Sequence, residues 1–179
     1  ENYLLMITGK KFEDLEISKE RLLENKEIAV YREDGYQVTI AGMLVFGKTP
    51  GRYLPQIGIK LVRFKGKDVG DDIVDRKEIE GDLPFMIDYT VGFIKRHTNL
   101  GARIEGMKRI DIPEYLDAVI REAIINAVVH RDYSIRNANI SVFIFDNRLE
   151  IRSPGRLPNS VSLEKLPLGD HHPRNRLLF

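Results

Sequence analysis

Apolar positions recur at helical spacing in two long stretches of the chain. Between Asp82 and Thr98, the residues Leu83, Met86, Ile87, Thr90, Val91 and Ile94 predict an amphipathic helix. Lys95, Arg96 and His97 fall at its C-terminal end, where cations suit the helix dipole. A second helix is expected from Asp111 to Val129, opened by Asp111 and Pro113. From Ala118 to Val129 it is apolar nearly all round, which predicts burial on more than one side. Shorter elements flank these two. Ser18 to Glu27 reads as a helix with Ser18 as its N-cap. Ala29 to Tyr31 and Tyr36 to Ile40 flank Arg32-Glu33-Asp34-Gly35, a strong hairpin signal. Such a helix and hairpin fit either a degenerate winged-helix piece or plain α+β packing. Gly42 to Gly47 is expected as a buried strand or helix edge, broken by Thr49-Pro50-Gly51, and Ile57 to Phe64 as a strand. Gly101 to Gly106 reads as a loop. Ile140 to Phe145 alternates as a strand, Asp146-Asn147-Arg148 turns, and Leu149 to Ser153 returns.

A chain of 179 residues can bury one substantial core or two smaller ones. With 42% hydrophobic and 31% charged residues it belongs among ordinary globular proteins. Lys plus Arg is 28 against 27 for Asp plus Glu, so the net charge of +1 gives no general attraction to nucleic acid or membranes. Arg63, Lys65 and Lys67 alternate onto one strand face, but Asp68, Asp71 and Asp72 follow at once, so a solvated outer face is the favoured reading. There is no cysteine, which removes thiolate chemistry and fits a reducing compartment. His97 and His130 stand apart and His171-His172 lacks partners at zinc-site spacing. No apolar run is long enough for a membrane span and no leader is visible, so a cytoplasmic protein with no membrane partner is expected. The chain opens without methionine and stops on Leu177-Leu178-Phe179, which suggests a fragment.

Chemistry concentrates in the second long helix. Glu122, Asn126 and His130 stand at i, i+4 and i+8, stacking into one polar stripe with steps of about 6 Å. Buried polar groups usually find structural partners. Three in register, followed by Arg131-Asp132-Tyr133, instead favour a working site, because a carboxylate beside an amide oxygen can activate water and hold magnesium. Downstream, the apolar face of Leu149 and Ile151 ends in the hydroxyl of Ser153, and Gly155 allows a ligand to approach the backbone closely.

These residues carry a resemblance. Arg121 to Tyr133, Phe145 to Ile151 and Ser153-Pro154-Gly155-Arg156-Leu157-Pro158 resemble transcriptional regulators that bear a Schlafen AlbA-type DNA-binding domain. Thr39 to Gly47 and Arg63-Phe64-Lys65-Gly66 are also similar to that family. Its C-terminal half is commonly labelled RecG-like, a divergent ATPase domain of the gyrase, heat-shock chaperone and histidine kinase superfamily. The resemblance puts Glu122 at the water-activating carboxylate and Asn126 at the magnesium-holding amide. It places Ser153-Pro154-Gly155-Arg156-Leu157 at the Asp-x-Gly-x-Gly motif, with Ser153 where an aspartate reads the adenine amino group. Asn126, His130, Asp132, Ser153 and Gly155 are the cofactor-binding residues this implies, with ATP and magnesium as cofactors.

The expected fold is α+β: a helix-plus-hairpin subdomain followed by a partial Bergerat-type α/β sandwich, divided at residues 1–100 and 101–179. The expected function is a piece of a DNA-binding transcriptional regulator whose ATP-binding module switches conformation or dimer state. Its partners would be DNA, through an upstream domain, and a second copy of itself. The rival is a catalytically dead ATPase-like scaffold for dimerisation and regulator assembly. Any hydrolysis is expected to be weak, and a helicase is not expected, because the RecG-like stretch from Arg121 to Pro158 shows no Gly-x-x-x-x-Gly-Lys-Ser/Thr loop.

Overall fold

A computed structural model of the chain describes residues 11–14, 17–105, 108–156 and 174–178. His171, His172, Leu157 and Pro158 lie outside the described residues. The architecture is α+β, and the chain divides into two compact units, Glu1–Met43 and Leu44–Phe179.

In the first unit, helix α1 (Lys19–Asn25) begins where the Ser18 hydroxyl accepts the Arg21 N–H, as its sequence predicted. Strands β1 (Ala29–Arg32) and β2 (Gly35–Val38) pair antiparallel with Arg32 opposite Gly35, so Glu33-Asp34 forms the turn. Helix α2 (Ile40–Phe46) follows directly. Thr39 fixes its start: the hydroxyl donates to the Glu27 carbonyl at 2.8 Å and accepts the Gly42 N–H at 3.0 Å. A side chain at Gly42 would meet the Ile28 carbonyl oxygen at 2.2 Å, so the helix tolerates only glycine here. The Gly42 to Gly47 stretch is therefore helical as far as Phe46.

The second unit is organised by a four-stranded sheet in the order β4-β3-β7-β8, built from β3 (Ile59–Lys65), β4 (Asp72–Ile79), β7 (Ile140–Ile144) and β8 (Leu149–Arg152). β3 and β7 run parallel and the other pairs antiparallel. A parallel pair needs a long crossover. Here it contains α3 (Leu83–His97), the hairpin β5 (Leu100–Glu105) and β6 (Lys108–Pro113), and α4 (Asp117–Val129). The sheet thus joins strands from either side of the 100/101 division expected from the sequence. Helix α3 starts where Asp82 accepts the Phe85 N–H at 2.9 Å. It buries Met86, Ile87, Thr90, Val91, Phe93 and Ile94. These pack with Ile120, Ile124, Ala127 and Val128 of α4 and with Ile59, Leu61, Ile140, Val142 and Ile144 of the sheet as one core. Val62, Phe64, Phe143 and Phe145 form a second cluster on alternate strand positions. The guanidiniums of Arg148 and Arg152 lie 4.0 and 4.9 Å from the Phe145 and Phe143 ring centres.

Two expectations are corrected. Residues 101–105 are strand, not loop, because Leu100–Glu105 pairs with Lys108–Pro113. The second long helix consequently starts at Asp117 rather than Asp111. Pro113 closes a strand, and Ile112 before it is steered to extended backbone by the proline ring. On α4, Ile120, Ile124, Ala127, Val128 and Val129 are buried, while Val119 is 58% exposed and Ala118 is also exposed. Among the described residues, no helix is long and apolar enough to cross a membrane.

Candidate functional site

Helix α4 ends beneath the candidate residues, and its last four carbonyls must find donors there. Asn126 O accepts the His130 N–H at 3.0 Å. Ala127 O accepts the Ser153 hydroxyl at 2.6 Å. Val128 O takes the Tyr133 hydroxyl at 3.2 Å, and Val129 O takes the Asn175 side-chain amide at 2.8 Å. The helix end is therefore capped by three separate segments, which draws the loop after α4, the loop after β8 and residues 174–175 together.

The polar stripe is intact but superficial. Asn126 Nδ2 donates to Glu122 Oε1 at 2.9 Å, with Glu122 exposed and Asn126 half-buried. The sequence led us to expect a buried stripe. Ile120 and Ile124 define the buried face, and Glu122 lies about 200° around the helix from each, which turns it toward solvent. His130 is half-buried at the C-cap, outside the helix proper.

The loop that follows is built around Arg131, whose side chain is 0% exposed. Its guanidinium donates to the carbonyls of Asp132 at 3.0 Å, Ile135 at 3.2 Å and Ala138, and lies 5.0 Å from the Tyr133 ring centre. Burial pulls its pKa below the usual arginine value. Gln56 Nε2 donates to the Tyr133 carbonyl at 2.9 Å and ties the loop to the segment before β3. Burial also pushes the Tyr133 phenol up.

Asp132 faces the turn after β8. Its N–H donates to the Pro154 carbonyl at 2.8 Å. Gly155 has φ +136°, and a side chain there would come within 3.1 Å of Asp132 Cβ and 3.3 Å of Asp132 N, so the close approach and the left-handed backbone both require glycine. Asp132 Oδ1 accepts from the Ser134 hydroxyl at 2.6 Å and the Ser134 N–H at 3.0 Å, while Oδ2 accepts from Arg174 at 3.0 Å. These Ser134 bonds, with the Arg174 and Arg131 charges, hold the carboxyl below the ordinary aspartate range. Arg174 also donates to the Arg156 carbonyl at 2.6 Å.

The structure thus brings Asp132, Ser153 and Gly155 to the C-terminal end of α4, with Ser153 bonded to the residue next to Asn126. Glu122 and Asn126 form their own pair farther along the helix. Arg131, Arg174 and Asn175 were not singled out from the sequence. An arginine closing an apolar helix with no nearby acidic residue at helical spacing was a usable signal for the first. The other two are 18 or more residues from their partners and gave no local signal.

Comparison with known proteins finds a family similar to part of this region. Residues 137–179 match the family described as "Putative ATP-dependent DNA helicase recG C-terminal". Ser153, Gly155, Arg174 and Asn175 lie inside the matched stretch; Glu122, Asn126, His130 and Asp132 lie before it. Among solved structures, the DIP2311 protein from Corynebacterium diphtheriae is similar at 25% identity with a TM-score of 0.69. The likeness covers 91% of this chain and 32% of that one, so this chain spans about a third of its length. No curated protein matches.

One member of the basic patch is paired. Arg63 pairs with Asp146 at 2.6 Å and also donates to the Phe64 carbonyl. His97 is likewise engaged, bonded through Nε2 to Asp75 at 3.0 Å.

Proposed function

We propose that this chain forms part of a nucleotide-binding module of a regulator, taking ATP with magnesium beside α4 and the Gly155 turn. The match of residues 137–179 to an ATPase-like family carries the reading, because it falls on the strand pair and turn that pack against the end of α4. The local chemistry supports it. The Ser153 hydroxyl spends its proton on the Ala127 carbonyl, which leaves lone pairs able to accept from an adenine amino group. Asn126 spends an amide N–H on Glu122, which leaves Oδ1 as the atom to meet magnesium, with Glu122 beside it to activate water. Among the described residues no three His, Asp or Glu side chains gather into a metal set. Magnesium would therefore depend on phosphate oxygens and water for most of its ligands. His130 and Asp132 complete the wall. DNA contact in this reading belongs to another part of the longer protein, since Arg63 is committed to Asp146.

A second reading, an ATPase-like scaffold for dimerisation, is favoured by one observation: Glu122, Asn126 and Asp132 already have partners within the protein. Calorimetry separates the two. ATP with magnesium is expected to bind this chain at millimolar affinity, more tightly than ATP without the metal, and Asn126→Ala should remove the metal dependence. Absence of any magnesium-dependent binding, here and in the longer protein, would leave the scaffold.

A further inference from the structure

The contact between Asp132 and Arg174 joins the two walls of the candidate site, and its chemistry is that of a bond poised for exchange. Arg174 reaches the carboxylate through one nitrogen at 3.0 Å and spends the other on the Arg156 carbonyl at 2.6 Å. The pair is monodentate, weaker and less directional than a fork-to-fork arginine contact. Asp132 does not depend on it. Its other oxygen takes two bonds from Ser134, and Arg131 lends a second positive charge, so the carboxylate stays satisfied if Arg174 leaves. The charges are unbalanced toward cation. Arg174 bonds to the Asp132 carboxylate and Arg131 acts on it through its nearby charge alone, while Arg156, exposed, follows Gly155 directly. Gly155 holds the intervening turn at φ +136° with no side chain to obstruct an approaching group.

We propose that Arg174 is an anion-binding residue for polyphosphate, and that Asp132 is its internal placeholder. A phosphate chain entering beside Gly155 displaces the carboxylate from the guanidinium and takes its place. The inference rests on the nucleotide reading for the identity of the natural ligand, and it specifies which group meets the phosphates. It also fixes an unusual sign: removing the Asp132 charge should strengthen binding, because the competitor is gone. A purely structural ion pair predicts the opposite, since losing either partner would loosen the same walls.

The test is calorimetric titration of the 179-residue chain with inorganic tripolyphosphate, without metal, at low ionic strength. Circular dichroism on each variant establishes that it is folded. Arg174→Ala should weaken binding about tenfold, the effect of losing one charge-assisted contact. Arg174→Lys should recover part of it, Asp132→Asn should tighten binding severalfold, and Arg32→Ala on the β1-β2 hairpin should change nothing. The proposal is overturned if the wild-type chain binds no tripolyphosphate, if Arg174→Ala binds as wild type, if Arg32→Ala loses as much, or if Asp132→Asn weakens binding. Should Arg174→Ala fail to fold, the lysine and asparagine variants carry the test. A parallel titration with ATP and adenosine separates this proposal from the nucleotide reading. Tripolyphosphate behaving as expected, with ATP binding no better and adenosine not at all, removes the nucleotide and keeps the anion site. ATP binding that needs Asn126 but ignores Arg174 and Asp132 keeps the nucleotide and refutes the placeholder.

Discussion

Arg131 offers the sharpest test of how the loop after α4 is held. Its guanidinium is fully buried and meets three carbonyls and an aromatic ring, with no direct carboxylate partner among its bonds. Replacing it by methionine preserves length and apolar packing but strips the three carbonyls of their donor. Hydrogen bonds to a charged group contribute about 1.5 to 3 kcal/mol each. The variant also escapes the desolvation cost of a buried cation, which is several kcal/mol. The difference leaves Arg131→Met less stable by about 3 kcal/mol. For a protein of this size each kcal/mol moves the melting temperature by about 2 to 4 °C, so a fall of roughly 6 to 12 °C is expected by thermal denaturation. Arg131→Lys should lose nearly as much, because a single ammonium cannot span carbonyls contributed by residues 132, 135 and 138. A methionine variant melting within about 2 °C of wild type would show that the carbonyls find other donors and that the guanidinium does not organise the loop.

The remaining expectations concern the same walls. Gly155→Ala imposes a side chain at φ +136° against Asp132, and should cost about 1 to 3 kcal/mol in urea denaturation; unchanged stability would mean the turn re-forms elsewhere. Ser153→Ala leaves the Ala127 carbonyl without its capping hydroxyl and should cost about 1 kcal/mol, whereas Ser153→Thr should retain most of it. Asp75, Asp132 and Glu150 are held below ordinary carboxylate values, chiefly by hydrogen bonds from His97, from Ser134 and from Arg148 with Arg152. In the range where these groups titrate the unfolded chain binds more protons, so their contribution is present above about pH 4 and is lost as pH falls through the depressed folded values. Denaturation midpoints measured from pH 6 down to pH 3 should fall, and Asp132→Asn should lose part of that dependence.

The elements most legible in the sequence were those whose pattern coincides with a local hydrogen bond. Ser18 and Asp82 each announce a helix start, and each accepts the backbone N–H three residues on. Asp34-Gly35 announces a turn, which Glu33-Asp34 makes just before Gly35 opens β2. Legibility failed where two structures share one signal. Pro113 suits the first turn of a helix and the last position of a strand, and only its pairing with Leu100 decides between them. Strand β4 was not read at all, because a sheet edge exposed along most of its length carries Asp72, Asp75, Arg76, Lys77 and Glu78 in place of an apolar alternation. Charged edges of this kind guard against pairing with another chain, so the features that hide the strand from a periodicity reading also protect it.

The candidate site divides along the same line. Glu122 and Asn126 were legible because four residues on a helix is a fixed geometry, and their hydrogen bond follows from that spacing alone. Ser153 and Gly155 were legible as a hydroxyl and a glycine after a strand. Their purpose was not, because the partners are supplied by tertiary structure. Ser153 finds the helix carbonyl of Ala127, 26 residues earlier, and Gly155 finds Asp132. Arg174 and Asn175 stand farther still along the chain, yet each bonds to both sides of a junction: Arg174 to Asp132 and Arg156, Asn175 to Val129 and Arg131. Because α4 ends on carbonyls that other segments must satisfy, a ligand that moved any one of those segments would be felt at the helix terminus.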